Sequence, residues 1–242
     1  MDFIVAFCAA DERIGLYRHP VATNKKIEKR AMISVNSRRR GLIVSITRFV
    51  QFGKLPADLA KRYEDNVYVD SAMMAATMPG RPASEVFAAA LNAYAEKGYP
   101  EEYRLHHQGG SIGYFGRDYK ATAATKDIIQ ENQAFTWNPS ITGVKSEDTM
   151  LATSAGPIVL STPVLFPELR MNYGGYSFSR PSIMVAAVAE HADRAAFPVA
   201  LAGLVGGFEL THEVNHVVLV LGQSFQTGHE ARPRPTLELI EH

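Results

Sequence analysis

Residues 34–48 read SVNSRRRGLIVSITR: a β-branched run, a basic turn and a second β-branched run. Around this stretch, residues 31–35 (AMISV) and 42–50 (LIVSITRFV) carry the residue types that fit a pleated surface, and 37–41 (SRRRG) supplies the turn between them. That pattern predicts a β-hairpin. Upstream, 3–8 (FIVAFC) reads as one more buried strand. Downstream, the apolar period changes. Pro56 suits a helix start, and Leu59, Tyr63, Val67 and Met74 share one helical face, with Pro79-Gly80 as the stop. A second helix is expected from a cap at Ser84, with Val86, Phe87, Ala90, Leu91 and Tyr94 on its apolar face and Gly98 closing it. Strand patterns return at 103–114 (YRLHHQGGSIGY), 134–137, 149–153 and 158–160. Strands, two helices, then strands again predict an α+β fold, with the helices on one side of a mostly antiparallel, curved sheet.

Composition limits the class of function. The chain has 242 residues, 46% hydrophobic and 21% charged, with 25 Lys+Arg balanced by 25 Asp+Glu. A net charge of zero argues against a nucleic-acid binder and against an acidic disordered chain. Cys8 is the single cysteine, which excludes an internal disulfide framework and a Cys-rich zinc module. No apolar run reaches the roughly 18 residues of a membrane helix, and the N-terminus lacks the basic start of a signal peptide. The expected compartment is the cytoplasm, with no membrane partner. Basic residues crowd into 13–48, where Glu28 is the one acid. A phosphate patch is one reading. Two solvated turns, near Lys25 and near Arg39, is the plainer one, because no aromatic residues interleave the charges.

The block from Ile4 to Val185 resembles the pita-bread metallopeptidase family, which includes Xaa-Pro aminopeptidase, prolidase, methionine aminopeptidase and the metal-free enzyme creatinase. Arg18-His19-Pro20 is similar to the family's substrate-side histidine segment, 34–48 to its Asp-bearing hairpin, and 106–113 (HHQGGSIG) to its Gly-His-Gly-Ile-Gly segment. Residues 136–139 (TWNP) and 143–148 (GVKSED) are similar to its two Glu-bearing strands. The resemblance implies a pita-bread domain over residues 1–185, a short peptide or other small molecule as substrate, and room for a homodimer. Relatives of this fold begin with helices that precede the first strand, so the domain is expected to be N-terminally truncated.

The same resemblance implies a dinuclear metal centre held by two Asp, one His and two Glu, and here the sequence departs from it. Those positions fall on Ser34, Ser45, Gly110, Asn138 and Glu147. One carboxylate cannot hold two dications, and Ser and Asn oxygens are weak ligands. The expectation is therefore no metal and no cofactor. His19, His106 and Glu147 remain for acid–base work near neutral pH, with His19 as base and His106 as its partner or acid. Arg117, Lys145, Asn138 and Asp148 are expected to bind a carboxylate-bearing, amide-like substrate, Arg117 as the anion clamp. Creatinase, which hydrolyses a C–N bond without metal through the histidine that His19 matches, is the precedent. Each residue also has a plainer reading. His19 is a loop residue before Pro20, His106 and His107 alternate across a strand, and Glu147 pairs with Lys145 or Arg48. A non-catalytic binding module and an ordinary metal-dependent aminopeptidase stay open as alternatives.

Residues 186–242 read as an appended tail. Within it, His212-Glu213-Val214-Asn215-His216 fits H-E-x-x-H, a zinc-protease pattern when it lies on a helix. The apolar run 217–221 that follows prefers a strand, on which the two histidines stand too far apart for one ion.

Overall fold

The computed structural model describes residues 3–21 and 23–186, together with the backbone of 208–209 and 220–221. Strand β1 (Phe3–Ala10) leads through a one-turn helix, α1 (Arg13–Leu16), to β2 (Arg30–Arg39) and β3 (Leu42–Phe52). The three strands form an antiparallel meander in the register Phe7↔Ser34, Ser34↔Thr47 and Asn36↔Ser45. The hairpin closes through Arg40 and Gly41, both at positive φ (52° and 84°), the handedness that matches the twist of the flanking strands.

Helix α2 (Ala57–Ala76) follows, with Pro56 as its N-cap. Leu59, Tyr63, Val67 and Met74 are buried, as the spacing predicts. Asn66, Asp70 and Ser71 are buried as well, because α2 is central and covered on more than one side. Helix α3 (Ala83–Glu96) packs on it, and Gly98 (φ 86°) stops it. Its N-cap is Pro82 rather than Ser84. The amide of Ala83, in the first turn, donates to the carbonyl of Asp127 in a neighbouring loop (2.9 Å), and no side chain caps the helix.

Beyond α3 the chain makes a 3₁₀ turn (Glu102–Leu105) and then β4 (Gly109–Ser111), β5 (Tyr119–Lys120), β6 (Gln133–Trp137), β7 (Ser140–Ile141), β8 (Val144–Lys145), β9 (Asp148–Ala152) and β10 (Ile158–Val159). The single strand expected over 103–114 is therefore a turn followed by a three-residue strand, since the glycines cannot sustain a longer one. Strands β10-β9-β6-β4-β5 make a second antiparallel sheet, and β7 and β8 pair separately. A hairpin of β11 (Glu168–Tyr173) and β12 (Tyr176–Pro181) leans on α2. β13 (Met184–Ala186) then returns parallel to β3.

The main core lies between the helices and the sheets. Trp137 stacks on Phe135 at 5.3 Å, Phe49 meets the edge of Tyr63 at 5.7 Å, and Trp137 Nε1 donates to Thr77 Oγ1 at 2.9 Å. Among the described residues no helix is long and apolar enough to cross a membrane. In the region read as a tail, β14 (Phe208–Glu209) pairs with β15 (Val220–Leu221). The H-E-x-x-H match at 212–216 lies outside the described residues.

Candidate functional site

Antiparallel partners point to the same face of a sheet, so the register places Phe7, Ser34, Asn36, Ser45 and Thr47 on one surface of β1–β3. That surface floors a cavity of about 280 Å³, roofed by His19, His107, Arg117, Asn138, Lys145 and Glu147. The amide of Thr47 donates to the carbonyl of Glu147 (3.0 Å), which pins the loop between β8 and β9 against the hairpin.

Glu147 is the centre of the charge. Its Oε2 accepts from Thr47 Oγ1 (2.6 Å), Ser34 Oγ (2.8 Å) and Lys145 Nζ (2.9 Å), and its Oε1 faces Arg117 at 3.6 Å. Lys145 Nζ also donates to Ser34 Oγ at 3.1 Å. Burial alone would push the Glu147 carboxyl up. Lys145, Arg117 and the Thr47 hydroxyl overturn that and hold it at about 2. The group is therefore a fixed anion, and the lysine ammonium lies against two positions, 34 and 147, that carry metal ligands in the resemblance. Ser45, at a third, is hydrogen-bonded to Asn36 Oδ1.

Gly110, at the histidine position of that pattern, is closed by backbone. A Cβ there would lie 1.9 Å from the Tyr119 carbonyl oxygen and 2.9 Å from Lys120 Cα, because β5 pairs directly over β4. The residue is glycine because no side chain fits. Two hydroxyls, an amide, a glycine and a carboxylate already paired with cations do not match the anionic, open donor set that a pair of divalent ions needs.

His19 and His107 form the opposite wall, with His106 behind them. Arg18 pairs with Glu102 (2.8 Å), which also accepts from the amide and hydroxyl of Thr142 (3.1 and 2.8 Å). This clamp ties the loop bearing His19 to the turn that leads into His106. His106 Nδ1 donates to the carbonyl of Asn138 (3.3 Å), and His106 Nε2 lies 3.1 Å from His19 Nε2. A carbonyl can only accept, so His106 carries its proton on Nδ1. Its Nε2 then accepts from His19 Nε2–H, which leaves Nδ1 as the unprotonated nitrogen of His19. The His107 ring stacks on His106 at 4.5 Å. Burial, helped by Lys145, His107 and His19, lowers the His106 pKa to about 2. Burial, helped by Arg117 and Lys120, lowers that of His107 to about 3. Burial and Lys145 also lower His19.

Of the residues expected from sequence, His19, Glu147, Arg117, Lys145 and Asn138 line the cavity. His106 is buried behind His19 rather than in the wall. Asp148 is displaced from its expected role as a substrate contact. Its side chain is fully buried, bonded to Arg48 (2.8 Å) and Ser161 (2.7 Å), with Arg180 at 3.0 Å. Asp70 completes this network, 2.5 Å from Arg180, and burial raises its carboxyl to about 6. Asp148 opens β9 opposite Trp137, whereas Glu147 lies in the loop before it and enters the cavity. Sequence reasoning passed over His107. The doublet His106-His107 was its signal, but strand alternation sends the two rings apart, whereas here the chain leaves a 3₁₀ turn and the rings stack on one side. Arg38, read as part of a solvated turn, lines the cavity too.

The chain matches the model of metallopeptidase family M24 over residues 4–154. It is 28% identical over 122 residues to an uncharacterized peptidase of Staphylococcus aureus, a match covering 48% of this chain and 34% of that protein. The prolidase from Pyrococcus horikoshii superposes with a TM-score of 0.58 at 25% identity, over 64% of this chain and 46% of that one. The X-Pro aminopeptidase from Thermotoga maritima superposes with a TM-score of 0.62 at 20% identity, over 75% of this chain and 48% of that one. The chain thus spans about a third of the length of the curated relatives it matches.

Proposed function

Given that this chain belongs to metallopeptidase family M24, we propose that it cleaves a C–N bond in a small, carboxylate-bearing, amide-like molecule by imidazole chemistry, as a hydrolase or lyase, without the family's dinuclear metal centre. The observation that carries this reading is Lys145. Its ammonium, 2.9 Å from Glu147 and 3.1 Å from Ser34, supplies positive charge where the family places a cation.

The cavity is at the small end of ligand pockets, which run about 300–1,000 Å³, so the substrate is a single small molecule or a dipeptide. Arg117 anchors its carboxylate. The guanidinium is held from Glu147 by 3.6 Å, and its buried Nε has no protein partner. Asn138 Oδ1, also buried without a partner, accepts an amide N–H. His19 takes a proton at Nδ1 from the attacking water, or from the substrate carbon in the lyase case, and returns it to the nitrogen that leaves as the C–N bond breaks; in between, the imidazolium is steadied by the lone pair of neutral His106 at 3.1 Å. Lys145 stabilises negative charge that develops on the substrate beside it.

A second reading, a binding module without turnover, is favoured by one observation. His106 and His107, at about 2 and 3, stay neutral near pH 7 and cannot serve as protonated acids. Turnover assays across Xaa-Pro dipeptides and guanidino acids, run with a chelator present, separate the two. Catalysis predicts chelator-resistant turnover, with His19→Ala abolishing kcat while ligand affinity is largely kept. Thermal shifts with ligands but no turnover support the binding module. Activity that appears only after manganese or cobalt is added contradicts the proposal.

A further inference from the structure

We propose that His19, His106 and His107 form a site for one transition-metal ion, distinct from the dinuclear position at Ser34 and Glu147; an ion there takes the nitrogens that the base role of His19 uses, so the metal-bound chain is a separate state from the metal-free one that turns substrate over. One ring nitrogen from each residue lies within 4.8 Å of the other two. The closest pair, His19 Nε2 and His106 Nε2, is 3.1 Å apart and shares a single proton. Two imidazole nitrogens on a tetrahedral ion, at about 2.0–2.1 Å each, stand about 3.4 Å from each other. An ion can therefore take the place of that proton with a shift of a few tenths of an ångström between His19 and His106, and His107, whose nitrogen lies within 4.8 Å of both, completes the set by moving in by up to about 1.4 Å.

The surroundings are those of a ligand set. His106 Nδ1 is held by the Asn138 carbonyl at 3.3 Å, the outer hydrogen bond that fixes a ligating imidazole and raises its basicity. His19 sits on the loop braced by Arg18 and Glu102 at 2.8 Å. Nδ1 of His107 is buried and has no hydrogen-bond partner, a donor atom with nothing to bind. An all-imidazole set without carboxylate selects zinc, copper, nickel or cobalt over magnesium, calcium or manganese. Three protein ligands leave a fourth position open. His19 and His107 line the cavity together with Lys145 and Arg117, whose charges favour an anion as the fourth ligand.

Titration of the chelator-stripped full chain with Co²⁺ tests this. One equivalent is expected to bind, with the visible absorption of a four-coordinate nitrogen site, displaced by Zn²⁺ and unaffected by excess Mg²⁺. His19→Gln and His107→Gln, neither of them at a fully buried position, should each weaken binding at least about 100-fold, the upper range for losing even an outer partner. The pair His212→Ala and His216→Ala should leave stoichiometry and spectrum unchanged. Absence of the Co²⁺ spectrum, or its loss in the 212/216 variant with retention in the His19 and His107 variants, overturns the site. The readout needs no substrate, so its failure is separate from a failure of the turnover proposed above.

Discussion

Replacing Lys145 by Met removes the ammonium and keeps the bulk of the side chain. Lys145 and Glu147 are both nearly fully buried, 4% and 2% exposed, so solvent cannot stand in for the lost charge. The depression of Glu147 from 4.5 to about 2 corresponds to about 3 kcal/mol of folded-state stabilisation of the carboxylate. Because the folded value lies below the unfolded one, that stabilisation is complete above about 4.5 and fades as pH falls toward 2. Breaking a buried ion pair from one side costs about 3–5 kcal/mol. Arg117 at 3.6 Å and the Thr47 hydroxyl at 2.6 Å remain on the carboxylate, so the expected loss is about 2–3 kcal/mol at pH 7. The deficit against wild type should narrow as pH drops toward 4, because protonation of Glu147 removes the uncompensated charge. Urea unfolding followed by the fluorescence of Trp137, the single tryptophan and a core residue, reads this directly. Adding Glu147→Gln should recover part of the loss, with a coupling of about 1–3 kcal/mol. Strict additivity of the two substitutions, or a deficit that grows in acid, would refute the reasoning.

Three further outcomes follow from the same geometry. Gly110→Ala should fold poorly or lose more than about 3 kcal/mol by denaturant unfolding, since its Cβ meets the Tyr119 carbonyl at 1.9 Å; a variant that tolerates alanine would mean that β5 does not close over β4. Arg180→Met leaves Asp70 and Asp148 buried without their shared cation, so a loss of about 3–5 kcal/mol is expected at neutral pH, easing in acid as Asp70 takes a proton; a midpoint unchanged from wild type contradicts the network. His106 is held neutral when folded but takes a proton below 6.5 when unfolded, so stability should fall as pH drops below 6.5, by about 2 kcal/mol at pH 5. His106→Asn should flatten that part of the pH–stability curve, and an unflattened curve assigns the acid sensitivity elsewhere.

The strand and helix pattern was legible because it rests on local periodicity. The β-branched hairpin at 31–50 and the apolar spacing of Leu59, Tyr63 and Val67 need no knowledge of partners. The start of α3 was not, because the N-cap falls two residues before Ser84, at Pro82, and the amide of Ala83 is satisfied by Asp127, forty-four positions away. The replaced positions Ser34, Ser45, Gly110 and Asn138 could be read from motif spacing, yet only the β4–β5 pairing shows why glycine stands at 110. That His107 rather than Asp148 lines the cavity was hidden for a similar reason. Which of two adjacent side chains enters a cavity depends on strand register and on a 3₁₀ turn, and neither is written in residue type. The burial of Asp70 and Asn66 was not legible either, because α2 is covered on several sides by β7, β8 and β12, which arrive much later in the chain.

Whether side-chain cations have taken over from paired metal ions is decided most directly by a crystal structure grown in excess manganese, with anomalous data collected at the metal's absorption edge. The account predicts Lys145 Nζ in place between Ser34 and Glu147, and no pair of peaks beside them. Two manganese ions about 3.5–4 Å apart, bound to Glu147 with Lys145 turned out of the way, would contradict it.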